Sequence, residues 1–288
     1  MNKYINCINY LIQKKTNTIK HCKSNLFNHL MGTFNILRKW DCSEDTCFAG
    51  LFHSIYGNDY FTIKTEGNRE VIKSLIGEKS EELVYLFNTD IKRNINREVS
   101  IISFANNLEQ GFFNVFDNLY DQKDIDDYYF YFRDTVPWKF LGSGEWTLSK
   151  WRKFTYVVEG KHKLEKKLKE QTENILKQLN VFDFLTLQRV YASANPYGTV
   201  HDIHQDYGTD LHKGITVMYY LNRYWEPSYA GETVFLNVEK NDIIKSILPK
   251  PGRVIMFDGG CPHGARDTRR DVNDLRMVLT FKYKINVL

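Results

Sequence analysis

The chain has little that would tie it to a membrane, an oxidising compartment or a polyanion. No apolar run is long enough to span a bilayer and no signal-peptide pattern opens the sequence, so neither a spanning helix nor secretion is expected. Five cysteines (Cys7, Cys22, Cys42, Cys47 and Cys261) are odd in number and include no close CxxC pair. That argues against a disulfide framework and for reduced thiols in a cytoplasmic protein. Cys261, near His263, reads as an ordinary packed thiol. The net charge of +4 over 288 residues is small and dispersed, so no nucleic-acid or membrane partner is expected. No internal repeat is evident. What is present, 42% hydrophobic and 15% aromatic residues, excludes disorder and suffices for one large core or two moderate ones.

The first third reads as helical. Leu26, Phe27, Leu30, Met31, Phe34 and Leu37 recur at three- and four-residue spacing, which predicts a helix to about Trp40. Ser43-Glu44-Asp45 signals a second helix through Cys47, Leu51 and Ile55, ended by Gly57. Further helices are expected from Asn68 to Ile76 and from Glu78 to Phe87. The stretches Thr89 to Arg97 and Asn106 to Gln110 mark a boundary, dividing the chain into residues 1–107 and 108–288. Beyond it, Phe112 to Phe116 reads as a strand and Ile125 to Phe132 as a helix. Gly160 to Leu179 reads as a charged amphipathic helix with Leu164, Leu168, Ile175 and Leu179 as its buried stripe. From Phe184 the period changes to short β-branched and aromatic runs: Leu185 to Tyr191, Ile215 to Leu221, Glu232 to Leu236, Arg253 to Phe257 and Arg276 to Tyr283. Gly, Pro and Asn clusters separate them, the pattern of a β-sandwich or jelly roll. The aromatic segment Tyr128 to Trp151 could cover a barrel mouth or fill a core.

Chemistry concentrates in His204-Gln205-Asp206 and, later, Pro262-His263. Two imidazoles and one carboxylate are the facial set that holds Fe(II) and leaves positions open for O2 and a co-substrate. His204 and Asp206, two apart in extended backbone, point to one face. His201 with Asp202, and His212, are competing histidines, but only His204 has an acid two residues on. Arg276, Val278 and Thr280 share a face of the last strand. Arg276 reads either as an anchor for a distal carboxylate or as a surface residue paired with Asp274 or Asp271.

From about Phe112 onward the chain resembles the Fe(II)/2-oxoglutarate dioxygenase superfamily, in its prolyl-hydroxylase-like branch. Val190-Tyr191, His204 and Asp206, Tyr219-Tyr220-Leu221-Asn222 with Trp225, Gly231-Glu232-Thr233, Pro251-Gly252-Arg253, Pro262-His263 and Arg276 follow that family's order. The resemblance implies an α+β chain, with a double-stranded β-helix (jelly roll, cupin-like) catalytic domain preceded by a small all-α domain. It implies His204, Asp206 and His263 as Fe(II) ligands and Arg276, Tyr191, Tyr220 and Thr280 as contacts of 2-oxoglutarate. O2 is then a co-substrate and ascorbate a stimulant. The implied reaction decarboxylates 2-oxoglutarate to succinate and CO2 while oxidising an unactivated C–H bond of an amino-acid, peptidyl or small natural-product substrate. The acid at Asp206 favours this over halogenation. The loop from His263 to Arg276 is longer than in the relatives compared and carries Arg266, Arg269 and Arg270.

The helical region, with His29 and the segment Ala49 to Gly57, resembles a small domain of unknown function and, more distantly, an HD-type metal phosphohydrolase. Ser54 stands where that family needs an acid beside His53, so an accessory role is expected: substrate or partner binding, or homodimerisation. The rival readings are a binding protein built on a degenerate oxygenase fold, and a bifunctional chain with a residual hydrolase.

Overall fold

Four of the helix starts follow a local rule: a short polar side chain precedes the helix and accepts a free backbone N–H of its first turn. Asn25 caps α2 (Leu26–Lys39), Ser43 caps α3 (Glu44–Phe52), Asn68 caps α4 (Arg69–Ile76) and Asn96 caps α6 (Arg97–Glu109). With α1 (Lys3–Gln13), α5 (Glu78–Asn88) and the short hairpin of β1 (Lys20–His21) and β2 (Ser24–Asn25), these helices build one compact unit. A computed structural model describes residues 3–21, 24–57, 68–89, 96–111, 113–141, 153–199, 202–209 and 211–287. The first unit comprises residues 1–112 with 177–184 and 286–288. Its core holds Leu11, Leu26, Leu30, Leu37, Leu51, Ile72, Val84 and Ile102. Helix α6 begins at Arg97, the last residue of the first stretch expected to mark a boundary, and runs through the second as far as Glu109. Its apolar residues Val99, Ile101, Ile102, Phe104, Ala105 and Leu108 are buried, and that packing outweighs its polar flanks.

The second unit comprises residues 113–176 and 185–285. Its larger sheet has the order β3 (Phe113–Phe116), β11 (Val254–Asp258), β8 (Gly214–Tyr220), β13 (Arg276–Ile285), β6 (Leu185–Asn195), β5 (Lys153–Val157) and β4 (Lys139–Leu141), every neighbour antiparallel. The smaller sheet has the order β10 (Ile243–Ile247), β9 (Thr233–Leu236) and β12 (His263–Ala265), and β7 (Asp206–Thr209) lies near its end. Met218, Tyr220, Ile255, Phe257 and Val278 of the larger sheet meet Phe235 and Ile247 of the smaller in one apolar cluster. This is the jelly-roll sandwich, in which inward residues of two sheets interdigitate. Among the described residues no helix is long and apolar enough to cross a membrane, and Cys7, Cys42, Cys47 and Cys261 are free thiols. Cys22 lies outside the described residues.

Helices α7 (Gln122–Asp134) and α8 (Lys163–Gln178) belong to this unit up to Leu176. The buried stripe of α8 is Glu165, Leu168, Thr172, Ile175 and Leu176, rotated from the predicted one. Glu165 causes the difference. It is 2% exposed and accepts from Tyr131 Oη (2.7 Å), Tyr156 Oη (2.7 Å) and the Lys161 backbone N–H (3.0 Å). Tyr128, Tyr129, Tyr131 and Phe132 are core residues of α7, and residues 142–151 of the aromatic segment lie outside those described. Truncating Glu165 strands two hydroxyls and an N–H, so Glu165→Ala is expected to cost about 2–3 kcal/mol. Chemical denaturation checks this, and a variant as stable as the parent would show that the three contacts contribute nothing.

Candidate metal centre

Two histidines far apart in sequence meet through their own backbones. His204 N–H donates to His263 C=O and His263 N–H to His204 C=O, each at 2.9 Å, an isolated antiparallel bridge. Directly opposed residues of this kind carry their side chains on the same face, and the two imidazole centroids lie 4.5 Å apart. Asp206 follows two residues later, its N–H held by Gly259 C=O at 2.7 Å. Asp206 Oδ1 is 3.6 Å from His204 Nε2, and Asp206 Oδ2 is 3.8 Å from His263 Nε2. Among the described residues, these three form the only group of three such donors close enough to share an ion.

The surroundings set the protonation that ligation needs. His204 Nδ1 lies 3.1 Å from Asp202 C=O and His263 Nδ1 lies 2.9 Å from Cys261 C=O. A carbonyl only accepts, so each Nδ1 carries the proton and each Nε2 turns a lone pair toward Asp206. Burial pushes His263 down to about 4 and so keeps it neutral. Burial alone would raise the Asp206 carboxyl, but His204, His263 and Lys282 outweigh it and hold the group well below the usual carboxylate range. Two imidazoles and one carboxylate whose ligand atoms lie within 4.8 Å of one another suit a first-row divalent ion, whose bonds to such donors run about 2.0–2.2 Å.

Arg276 is 2% exposed, which removes the surface alternative. Its Nε donates to Gly231 C=O (2.6 Å) and an Nη to Thr233 Oγ1 (2.8 Å), while Asp274 and Asp271 are engaged elsewhere, by Tyr129 and Arg269. Gly231 sits at φ +77°, where a side chain is strained, and a Cβ there would crowd Thr268 and Trp225 at 3.1 Å and Arg276 Cδ at 3.3 Å. Arg276, Val278, Thr280, Tyr191, His204, Asp206 and His263 line one cavity. Tyr220 differs from its expected role: its hydroxyl is taken by Thr233 Oγ1 (2.7 Å) and it packs behind the Arg276 guanidinium rather than lining that cavity. His212 sits on Asp258 (2.6 Å), outside the donor group, and His201 lies outside the described residues. Sequence reasoning missed Lys282, whose Nζ lies 2.5 Å from Asp206 Oδ1, and Thr216, whose hydroxyl donates to Asp206 Oδ2 at 2.5 Å. The even-numbered face of β13 (276, 278, 280) pointed to Lys282 without its being read.

Residues 190–283 match the 2OG-Fe(II) oxygenase superfamily. The chain thus carries the domain of 2-oxoglutarate-dependent non-haem iron dioxygenases, whose cofactors are Fe(II) and 2-oxoglutarate. Solved structures of similar fold include a prolyl hydroxylase from Trichoplax adhaerens in complex with a hypoxia inducible factor peptide fragment (17% identity, TM-score 0.49, covering 62% of this chain and 86% of that one). Others are a Pseudomonas putida prolyl-4-hydroxylase (15%, 0.46, 62% and 95%) and HygX from Streptomyces hygroscopicus with nickel and 2-oxoglutarate bound (10%, 0.46, 62% and 84%). Residues 10–93 match a domain of unknown function, DUF6817. No curated protein matches the chain.

Within the helical unit, His53 Nδ1 donates to Gly50 C=O (2.7 Å), His53 Nε2 faces His29 Nε2 at 3.2 Å, and His29 Nδ1 contacts the Glu109 carboxylate. Ser54, beside His53, is buried. Burial, reinforced by His29, pushes His53 down to about 3 from 6.5. The unfolded chain therefore binds this proton first, and the stability that neutral His53 contributes is complete above about pH 6.5 and drains away as pH falls toward 3. Calorimetry is expected to show the chain melting at lower temperature at pH 4.5 than at pH 7, with a shallower dependence in His53→Gln. An identical pH dependence in that variant would remove His53 as the cause.

Proposed function

We propose that this dioxygenase domain hydroxylates an unactivated C–H bond of an amino-acid, peptidyl or small natural-product substrate, with His204, Asp206 and His263 holding Fe(II) and Arg276 anchoring 2-oxoglutarate. The observation that carries the reading is the pairing of a three-donor group with a buried guanidinium in one cavity. When bound, the iron supplies the O2-dependent oxidising step and 2-oxoglutarate its electrons. The protein's own residues do the rest. The carbonyls of Asp202 and Cys261 fix both imidazoles as Nε2 donors, while Thr216 and Lys282 hold the carboxylate oxygens. Arg276, pressed against neutral acceptors in a buried site, has lost hydration that an anionic partner would replace. Burial lowers its pKa, as expected of a cation kept from water. Tyr191 and Thr280 line the same cavity as the donors and Arg276, and in this reading they donate hydroxyls to the same co-substrate. A binding protein with a degenerate fold would have no use for matched tautomers on two histidines.

Anaerobic titration with Fe(II) and 2-oxoglutarate is expected to develop the weak visible band of a chelated 2-oxo acid, absent in His204→Ala. Arg276→Leu should keep the metal and weaken 2-oxoglutarate by about 30-fold or more, since truncating one partner of a buried charge pair costs about 2–5 kcal/mol. No band in folded, iron-loaded protein would overturn the assignment.

A further inference from the structure

Among the described residues two asparagines are buried, Asn195 at 3% exposure and Asn222 at 1%. Asn222 is held on every side. Its Nδ2 donates to Leu275 C=O (2.7 Å) and Asp274 Oδ2 (3.2 Å), and its Oδ1 accepts from the Met277 backbone N–H (2.9 Å). Asn195 Oδ1, by contrast, has no hydrogen-bond partner among the described residues. A buried acceptor left unmade opposes folding, and asparagine is a poor strand former. The fold therefore gains nothing from an amide at the end of β6.

Asn195 is the cross-strand partner of Arg276 in the ladder of β6 and β13, a pairing that sets Cβ atoms about 4.5–5.5 Å apart on one face. Both residues line the cavity of the candidate metal centre. Along the same two strands Ser193 stands opposite Val278 and Tyr191 opposite Thr280, so the β6 side of the cavity is polar throughout. A primary amide offers two N–H donors as well as its oxygen, and turning it costs Oδ1 no hydrogen bond. The charge of Glu232 also reaches the Arg276 guanidinium and offsets part of it. A carboxylate taken up there gains from a second donor that is neutral and brings no repulsion of its own.

We infer that Asn195 is a second anchor for the distal carboxylate of 2-oxoglutarate, and that with Arg276 it selects a 2-oxo dicarboxylate over 2-oxo acids whose far end is uncharged. This rests on the proposed dioxygenase reading and assigns a co-substrate contact beyond Arg276, Tyr191 and Thr280. A 2-oxo acid ending in a methyl group leaves both the amide and the guanidinium buried without an anionic partner, and a site built from hydrogen bonds rejects such an analogue strongly. Removing the amide thus acts unevenly: it loosens the dicarboxylate and spares the methyl-ended acid. The ligand-free fold loses nothing, because an apolar side chain of similar size removes an acceptor that was unsatisfied.

The test uses the full chain loaded anaerobically with Fe(II) and follows the visible band. It is titrated with 2-oxoglutarate and with 2-oxopentanoate, which has the same number of carbons and no distal carboxylate. Asn195→Leu should weaken 2-oxoglutarate about tenfold, the loss of one hydrogen bond to a charged group, and leave 2-oxopentanoate unchanged or tighter. Asn195→Asp, nearly the same shape, sets an acid beside Arg276 and should weaken 2-oxoglutarate about 100-fold. Nickel(II) binding by calorimetry, and the melting temperature without ligands, should match the parent in Asn195→Leu. Unchanged 2-oxoglutarate binding in Asn195→Leu, equal weakening of both acids, or a lower melting temperature with the selectivity retained would each overturn the anchor. If the parent develops no band with 2-oxoglutarate, the dioxygenase reading falls and the anchor falls with it.

Discussion

Everything proposed for the second unit depends on the reciprocal backbone hydrogen bonds between His204 and His263. They join a residue that precedes β7 to the first residue of β12, and they do so without using either side chain. Both imidazoles are therefore free to face the same point, and the carbonyls of Asp202 and Cys261, each two residues before its histidine, select the tautomer. A side-chain constellation of this precision is more economically held by a ladder than by mutual contacts, because the ladder is in place whether or not a ligand is. The apolar cluster of Met218, Phe235, Phe257 and Val278 lies between the sheets and keeps that ladder at its height.

Charge burial is the second constraint. Asp206 and Arg276 are both almost fully enclosed, and they are answered differently. Asp206 is met by imidazoles, a hydroxyl and Lys282, so its ionised form is favoured in place. Arg276 is met by a carbonyl, a hydroxyl and a tyrosine ring, all neutral. The charge of Glu232 reaches it as well, so the protein offsets this guanidinium from a distance and meets it directly with neutral groups.

Much of this was legible in the sequence, because strand periodicity and cap chemistry are local. The strand carrying Arg276, the helices at 26–39 and 44–52, and the even-numbered face of β13 follow from spacing alone, whereas β12, which carries His263, was not among the expected strands. What was hidden depends on partners distant in sequence. The rotation of α8 follows from tyrosines on α7 and β5 that satisfy Glu165, so a glutamate occupies a core position that hydropathy gives to Leu164. The hydroxyl of Tyr220 is directed to Thr233 by a pairing between sheets. Lys282 was not singled out by the sequence, because its partner Asp206 lies on β7, far from it along the chain.

The register of β6 against β13 carries one further consequence. Lys282 opposes Arg189 and Tyr283 opposes Leu187, so Gln188 is an extra residue with no counterpart. Such a bulge reverses the alternation of faces along its strand. Arg189, Tyr191 and Ser193 look toward the metal centre's cavities, whereas Leu187 joins Val190 and Phe281 on the opposite side of the sheet. The floor of the binding region therefore stops at Arg189 because of a single inserted position, and its length can change in evolution by gain or loss of one residue with no ligand altered.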